Sequence, residues 1–154
     1  MKTSSTLTSL FPCRLARWLA AALAACMLWG PAQASPLSSA DEKGVRAVVE
    51  GQLAALARDD AGAAFSFAAP NVRKTVGSAA RFMEMVRRSY PAIYRPASAA
   101  FLKPEDHHGQ VLQRVQLMDD DGNAWLALYS LQRQKDKTWR ITGCQVVPNK
   151  GRMA

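Results

Sequence analysis

The stretch that decides the fold runs from Gln110 to Pro148, QVLQRVQLMDDDGNAWLALYSLQRQKDKTWRITGCQVVP. It reads as three antiparallel strands joined by two short turns, Asp120-Asp121-Gly122-Asn123 and Gln134-Lys135-Asp136-Lys137. Gly122 after Asp121 supplies the positive φ that a hairpin turn needs. In Gln110 to Met118, Val111, Gln113, Val115 and Leu117 alternate with Leu112, Arg114, Gln116 and Met118, so one side of that strand is more polar. Ala124 to Gln132 is apolar on both sides, with Trp125, Ala127, Tyr129 and Leu131 against Leu126 and Leu128. Such a strand belongs in the middle of a sheet covered on both faces, or wrapped around a pocket. Thr138 to Val147 closes the set, with Trp139 and Ile141 expected on one face and Cys144 and Val146 on the other.

Just upstream, Pro104-Glu105-Asp106-His107-His108-Gly109 reads as a polar loop, and Ala97 to Lys103 as a first strand. Before these come three helices. Ser39-Ala40-Asp41-Glu42 fits a capping box, in which the serine and the glutamate satisfy each other's free backbone N–H groups. Val45, Val48, Val49, Leu53 and Leu56 then form one apolar stripe, with Arg46, Glu50 and Arg58 off it. Asp59 or Asp60 caps a short second helix through Ala69, which Pro70 ends. Ser78 caps the third, where Ala79, Phe82, Met83, Val86 and Tyr90 share a face; Pro91 stops it and the chain runs extended from Ala92. The fold class is α+β, three N-terminal helices packed on a curved four-stranded antiparallel sheet.

The first 34 residues carry Lys2, Arg14 and Arg17 and no acidic residue. Trp18 to Trp29 is an unbroken apolar run, broken by Gly30-Pro31 and followed by Ala32-Gln33-Ala34. That is the pattern of a secretory signal peptide cleaved after Ala34. Twelve helical residues span only about 18 Å against a hydrocarbon core of about 30 Å, which argues against a membrane anchor. A rival reading is Leu23-Ala24-Ala25-Cys26 as a bacterial lipobox, leaving Cys26 lipidated. It strands Met27-Leu28-Trp29 just after the anchor. The division is thus signal peptide 1–34, linker 35–40, one domain 41–148 and a tail 149–154. Cleavage leaves 17 Lys and Arg against 12 Asp and Glu, a net of +5, and Cys144 alone. One cysteine closes no internal disulfide, so stability rests on the core. The charges are spread out and no aromatic residues interleave them, which excludes a nucleic-acid groove.

The helix order, with a short Asp-capped Ala/Phe helix second, resembles the nuclear-transport-factor-2-like cone, also called SnoaL-like, a cystatin/SnoaL-like architecture. More closely, residues 41–148 resemble a family of exported bacterial proteins, domain-of-unknown-function family 4864. The carriers are Tyr94-Arg95-Pro96, Asp121-Gly122-Asn123-Ala124-Trp125-Leu126-Ala127-Leu128-Tyr129, and Trp139-Arg140-Ile141-Thr142-Gly143-Cys144 running to Pro148. The resemblance implies a fold, a pocket between sheet and helices, and an export route. A homodimer through an exposed sheet face is likewise implied by the cone resemblance alone.

Four groups are candidates for chemistry. His107-His108 beside Glu105 and Asp106 offers metal-ligand types, but adjacent strand residues point to opposite sides, so a solvated loop is expected. Asp119 to Asn123 lacks the calcium-loop spacing, with its glycine at the fourth position, and is read as a turn. Cys144 has no histidine nearby in sequence and is expected as a small apolar filler. The aromatic residues Tyr90, Tyr94, Trp125 and Tyr129 form the candidate pocket, with Trp139 beside them; the alternative is ordinary core with bonded polar tips.

No carboxylate or histidine falls on an apolar face; Gln52 and Gln113 come nearest. We therefore expect no catalytic residues, no metal and no cofactor. Arg73-Lys74, Arg87-Arg88 and Arg95 could form a basic edge, with a solvated face as the simpler reading. The expected function is a non-catalytic small-ligand-binding or protein-interaction module of the cell envelope, periplasmic or secreted. Its partner would be a small apolar ligand or an envelope protein, with membrane attachment only through Cys26. The alternatives are a small lyase or isomerase using Tyr90 or Tyr129, and a basic envelope-surface protein.

Overall fold

The computed structural model describes residues 36–151. The signal-peptide, cleavage-site and lipobox expectations lie outside those residues. Five helices, α1 (Ser39–Ala57), α2 (Ala61–Ser66), α3 (Pro70–Val76), α4 (Ala79–Ser89) and α5 (Pro91–Tyr94), precede five strands. The strands are β1 (Ser98–Phe101), β2 (Glu105–His107), β3 (Gln110–Met118), β4 (Ala124–Arg133) and β5 (Trp139–Pro148). The class is α+β as expected, with five antiparallel strands rather than four. The order is β1-β3-β4-β5, and β2 also pairs with β3. Among the described residues no helix is long and apolar enough to cross a membrane.

The extra strand comes from the segment read as a polar loop. β1 pairs with Val115–Met118 and β2 with Gln110–Leu112, so two short strands share one edge of β3. Leu102 to Pro104 interrupt the ladder between them. Gln113 seals that break, its Nε2 donating to Leu102 O at 2.6 Å and Arg114 O at 3.0 Å. His108 and Gly109 (φ 55° and 83°) then make a two-residue hairpin turn in which both φ angles are positive. Histidine tolerates that region more readily than most side chains, so the turn forms without the usual Asn-Gly pair.

Helix boundaries shift for one recurring reason. Pro70 and Pro91, read as stops, are the first residues of α3 and α5. Proline blocks a helix running into it, but at N1 its missing N–H costs nothing and its φ is already helical. α2 therefore ends at Ser66, and residues Phe67 to Ala69 leave the helix to bridge β5. Ile141 N donates to Phe67 O at 2.9 Å, and Ala69 N donates to Ile141 O at 2.8 Å. The cap of α1 sits one residue earlier than expected: Ser38 Oγ accepts from Asp41 N at 3.1 Å. Both Ser38-x-x-Asp41 and Ser39-x-x-Glu42 fit the motif; Trp139 and Arg133 reach Asp41 and favour the first.

The apolar stripe of α1 lies on the sheet. Val45, Val49 and Leu56 are fully buried against Val111, Val115 and Leu117 of β3, Ala127, Tyr129 and Leu131 of β4, and Ile141 of β5. Burial alternates strictly along β3. β4 is central, as its composition demanded, but among the described residues helices cover only one face. Leu126 and Leu128 are half-buried on the other, and Val147 is 50% exposed. The facing of β5 differs from the expected one. A β-bulge at Ser130/Leu131 pairs Leu131 with Ile141 but Tyr129 with Cys144, so Trp139, Ile141, Cys144 and Val146 all pack on the core side. The extra residue reverses the parity that strict alternation assumes.

Candidate functional site

The bridge between Phe67–Ala69 and β5 holds α3 beside the bulge, and a cleft of about 100 Å³ remains there. Leu56 of α1, Ala68, Val72 of α3, Phe82 and Val86 of α4, Ile93 of α5 and Ile141 of β5 give it apolar walls. The Gly143 backbone completes the lining. The mouth includes Met85, which is 38% exposed. Polar groups are few: the Gln52 amide, the Cys144 thiol and Tyr90. Gln52 is buried and its Nε2 donates to Ala64 O at 3.2 Å, which ties α1 to α2 along one wall. The lining contains no carboxylate and no histidine. Its chemistry is therefore apolar contact with a small polar component.

Cys144 lines this cleft, half-buried, and burial pushes its thiol up to about 12. It is neutral near pH 7 and a poor nucleophile. Behind it lies Tyr129, fully buried, its hydroxyl driven well above the ordinary phenol range by burial. The thiol is close enough to perturb that hydroxyl, yet no hydrogen bond of normal geometry reaches the Tyr129 oxygen. An unpartnered buried hydroxyl costs stability, so Tyr129→Phe is expected to leave the protein as stable or to stabilise it by up to about 2 kcal/mol. Urea unfolding checks this. A loss above about 1 kcal/mol would mean that the hydroxyl is bonded after all.

Of the four aromatic residues expected in one pocket, Tyr90 lines the cleft and Tyr129 backs it through Cys144. Tyr94 and Trp125 are elsewhere, each with its polar tip on an aspartate. Trp125 Nε1 donates to Asp119 Oδ2 at 2.8 Å, and Asp119 also accepts from the backbone N–H groups of Asp121 and Asn123. Asp119 thus organises the β3–β4 turn; the indole, foremost, holds its carboxyl below the usual range. Trp139 Nε1 donates to Asp41 Oδ1 at 3.3 Å in the same manner.

Tyr94 belongs to a hub on Asp59. This aspartate follows α1 with φ 59°, and Asp60 N returns to Ala55 O at 2.9 Å, a C-terminal turn that glycine usually occupies. Its carboxylate accepts from the Tyr94 hydroxyl, from Arg87 at 2.6 Å and from Arg95. Both guanidinium carbons lie about 5 Å from the Tyr94 ring centre. The Tyr94 hydrogen bond first, then Arg87, keeps the Asp59 carboxyl below its ordinary value. The hub pins the end of α1 to α4 and α5. No sequence signal pointed to Asp59 beyond its capping role, because its partners lie 28 to 36 residues away.

Of the basic edge, Arg87 and Arg95 are held by Asp59, and Arg88 faces Glu84 at 3.5 Å. His107 stands 3.6 Å from Glu105. Among the described residues no three His, Cys, Asp or Glu side chains come together as a metal site. No curated protein and no solved structure matches the chain. Its residues 38–154 match the family described as Domain of unknown function (DUF4864), and the chain belongs to that family.

Proposed function

We propose that the protein is an exported, non-catalytic module of the cell envelope that holds a small apolar ligand in the cleft between α1, α3, α4 and β5, on a fold of the SnoaL-like cone type. The observation that carries the reading is the apolar cleft of about 100 Å³ with Gln52, Cys144 and Tyr90 as its few polar residues. A dry apolar cavity of about 150 Å³ holds benzene, so this cleft takes one compact group, such as a short alkyl chain. The cone reading is supported by helices laid on one face of an antiparallel sheet that carries a bulge in β5. Export is supported by the basic start, apolar run and Ala-Gln-Ala site in residues 1–34. The lack of carboxylate and histidine in the lining favours binding over proton transfer.

Cys144 provides the test. Alkylation by iodoacetamide, followed on the Cys144 peptide by mass spectrometry at pH 9, is expected to slow several-fold as hexan-1-ol saturates the cleft. An unchanged rate at the highest soluble hexan-1-ol concentration would defeat the proposal.

A further inference from the structure

We infer that the natural occupant of the cleft is a small carboxylate whose apolar part enters the cleft and whose charge stays at the mouth. This rests on the cleft being the binding site and names the class of ligand. Met85 lies at the boundary of two concavities. One is the apolar cleft; the other is a shallow trough along α4 formed with Arg81, Glu84, Arg88 and Ser89. An elongated molecule seated beside Val86 and Phe82 therefore leaves the cleft across Met85 into that trough.

The trough carries two guanidinium groups against one carboxylate. Glu84 is engaged with Arg88 at 3.5 Å, in a pair with both side chains more than two-thirds exposed, which contributes little and exchanges readily. Arg81 has no carboxylate partner among the described residues. Its guanidinium lies over Gly77, the C-cap of α3, 3.7 Å from where a Cβ would stand. α3 brings Val72 to the opposite wall. The mouth is thus positive along its α4 side. A planar guanidinium matches a carboxylate in two-point geometry, whereas a cationic ligand meets repulsion from the two arginines of α4.

The test uses the full chain and three probes with one alkyl chain: hexanoate, hexan-1-ol and hexylammonium. Protection of Cys144 from iodoacetamide is titrated for each. Hexanoate is expected to reach half-protection at a concentration about fivefold below hexan-1-ol, the scale of a surface ion pair. Hexylammonium should be the weakest. The advantage of hexanoate should vanish in about 1 M salt, where the screening length is about 3 Å. It should vanish also in Arg81→Gln, and persist in Lys135→Gln, which lowers net charge at the distant β4–β5 turn. If hexan-1-ol protects and hexanoate is no better, the carboxylate inference is overturned and the apolar cleft stands. If Lys135→Gln erases the preference as fully as Arg81→Gln, the effect is net charge and the inference is likewise overturned. If no probe protects, the cleft is not a binding site and both readings fall.

Discussion

Leu56→Ala is expected to lower the unfolding free energy by about 2–5 kcal/mol, read from urea denaturation. Leu56 is fully buried, sits in the main core and forms part of the cleft wall. Losing its branched end forfeits about 0.8 kcal/mol per carbon in transfer free energy, before any cavity cost. The void cannot close readily. Gln52 ties α1 to Ala64, and the Phe67–Ile141 and Ile141–Ala69 bonds fix the opposite wall to β5. The vacated volume therefore joins the cleft, which should then admit a longer chain: octan-1-ol should gain on hexan-1-ol as a protector of Cys144. Val147→Ala is the control. Val147 is half exposed on the uncovered sheet face, and its truncation should cost no more than about 0.5 kcal/mol. Equal losses for the two variants would contradict a core confined to one face of the sheet.

The strands were legible because their signal is local. Period-two alternation gives β3 as Gln110–Met118, the bounds the structure has, and β4 differs only by one residue at its end. Each failure has a physical cause. Pro70 and Pro91 were read as terminators, yet proline only forbids the helix before it, and a new helix starts on it at no backbone cost. The faces of β5 were misassigned because counting by twos fails at a bulge. Gly143, interrupting an apolar strand, was the available sign of one. β2 went unseen because its turn uses His108-Gly109 in place of the common pair.

The site was legible only in part. Of the pocket candidates Tyr90 lines the cleft, and so does Cys144, which is expected only as a small filler; an aromatic composition suggests a pocket without saying which rings line it. Tyr94 and Trp139 find their aspartates 35 and 98 residues away, a matter of tertiary packing that no periodicity encodes. Even Trp125, six residues from Asp119, gives no hint, because the bond depends on how the turn between them closes. The cleft itself arises from the bridge of Phe67–Ala69 to Ile141, which local patterns do not record.

Gly51 offers a test in which local and tertiary preferences have opposite signs. It lies inside α1, where replacing glycine by alanine ordinarily stabilises by about 1 kcal/mol. A Cβ at Gly51, however, would stand 2.5 Å from the tip of the Phe67 ring and 3.0 and 3.3 Å from the adjoining ring atoms. The ring cannot simply swing aside, because Phe67 is partly buried against the core and its carbonyl accepts from Ile141 N at 2.9 Å. Forcing the extra atom in should cost about 1–3 kcal/mol, enough to outweigh the helix gain, so Gly51→Ala destabilises and Gly51→Leu does so further. In a Phe67→Ala background the obstacle is gone and Gly51→Ala should become stabilising, by up to about 1 kcal/mol. The sign reversal is a coupling between two contacting residues, read from a four-member urea-unfolding cycle. A stabilising Gly51→Ala in the Phe67 background would mean that α1 and the Phe67 ring are not in close contact. Because Gln52 and Leu56 follow Gly51 on the same helix, Gly51→Leu should also weaken hexan-1-ol protection of Cys144, linking the packing of one glycine to the proposed binding.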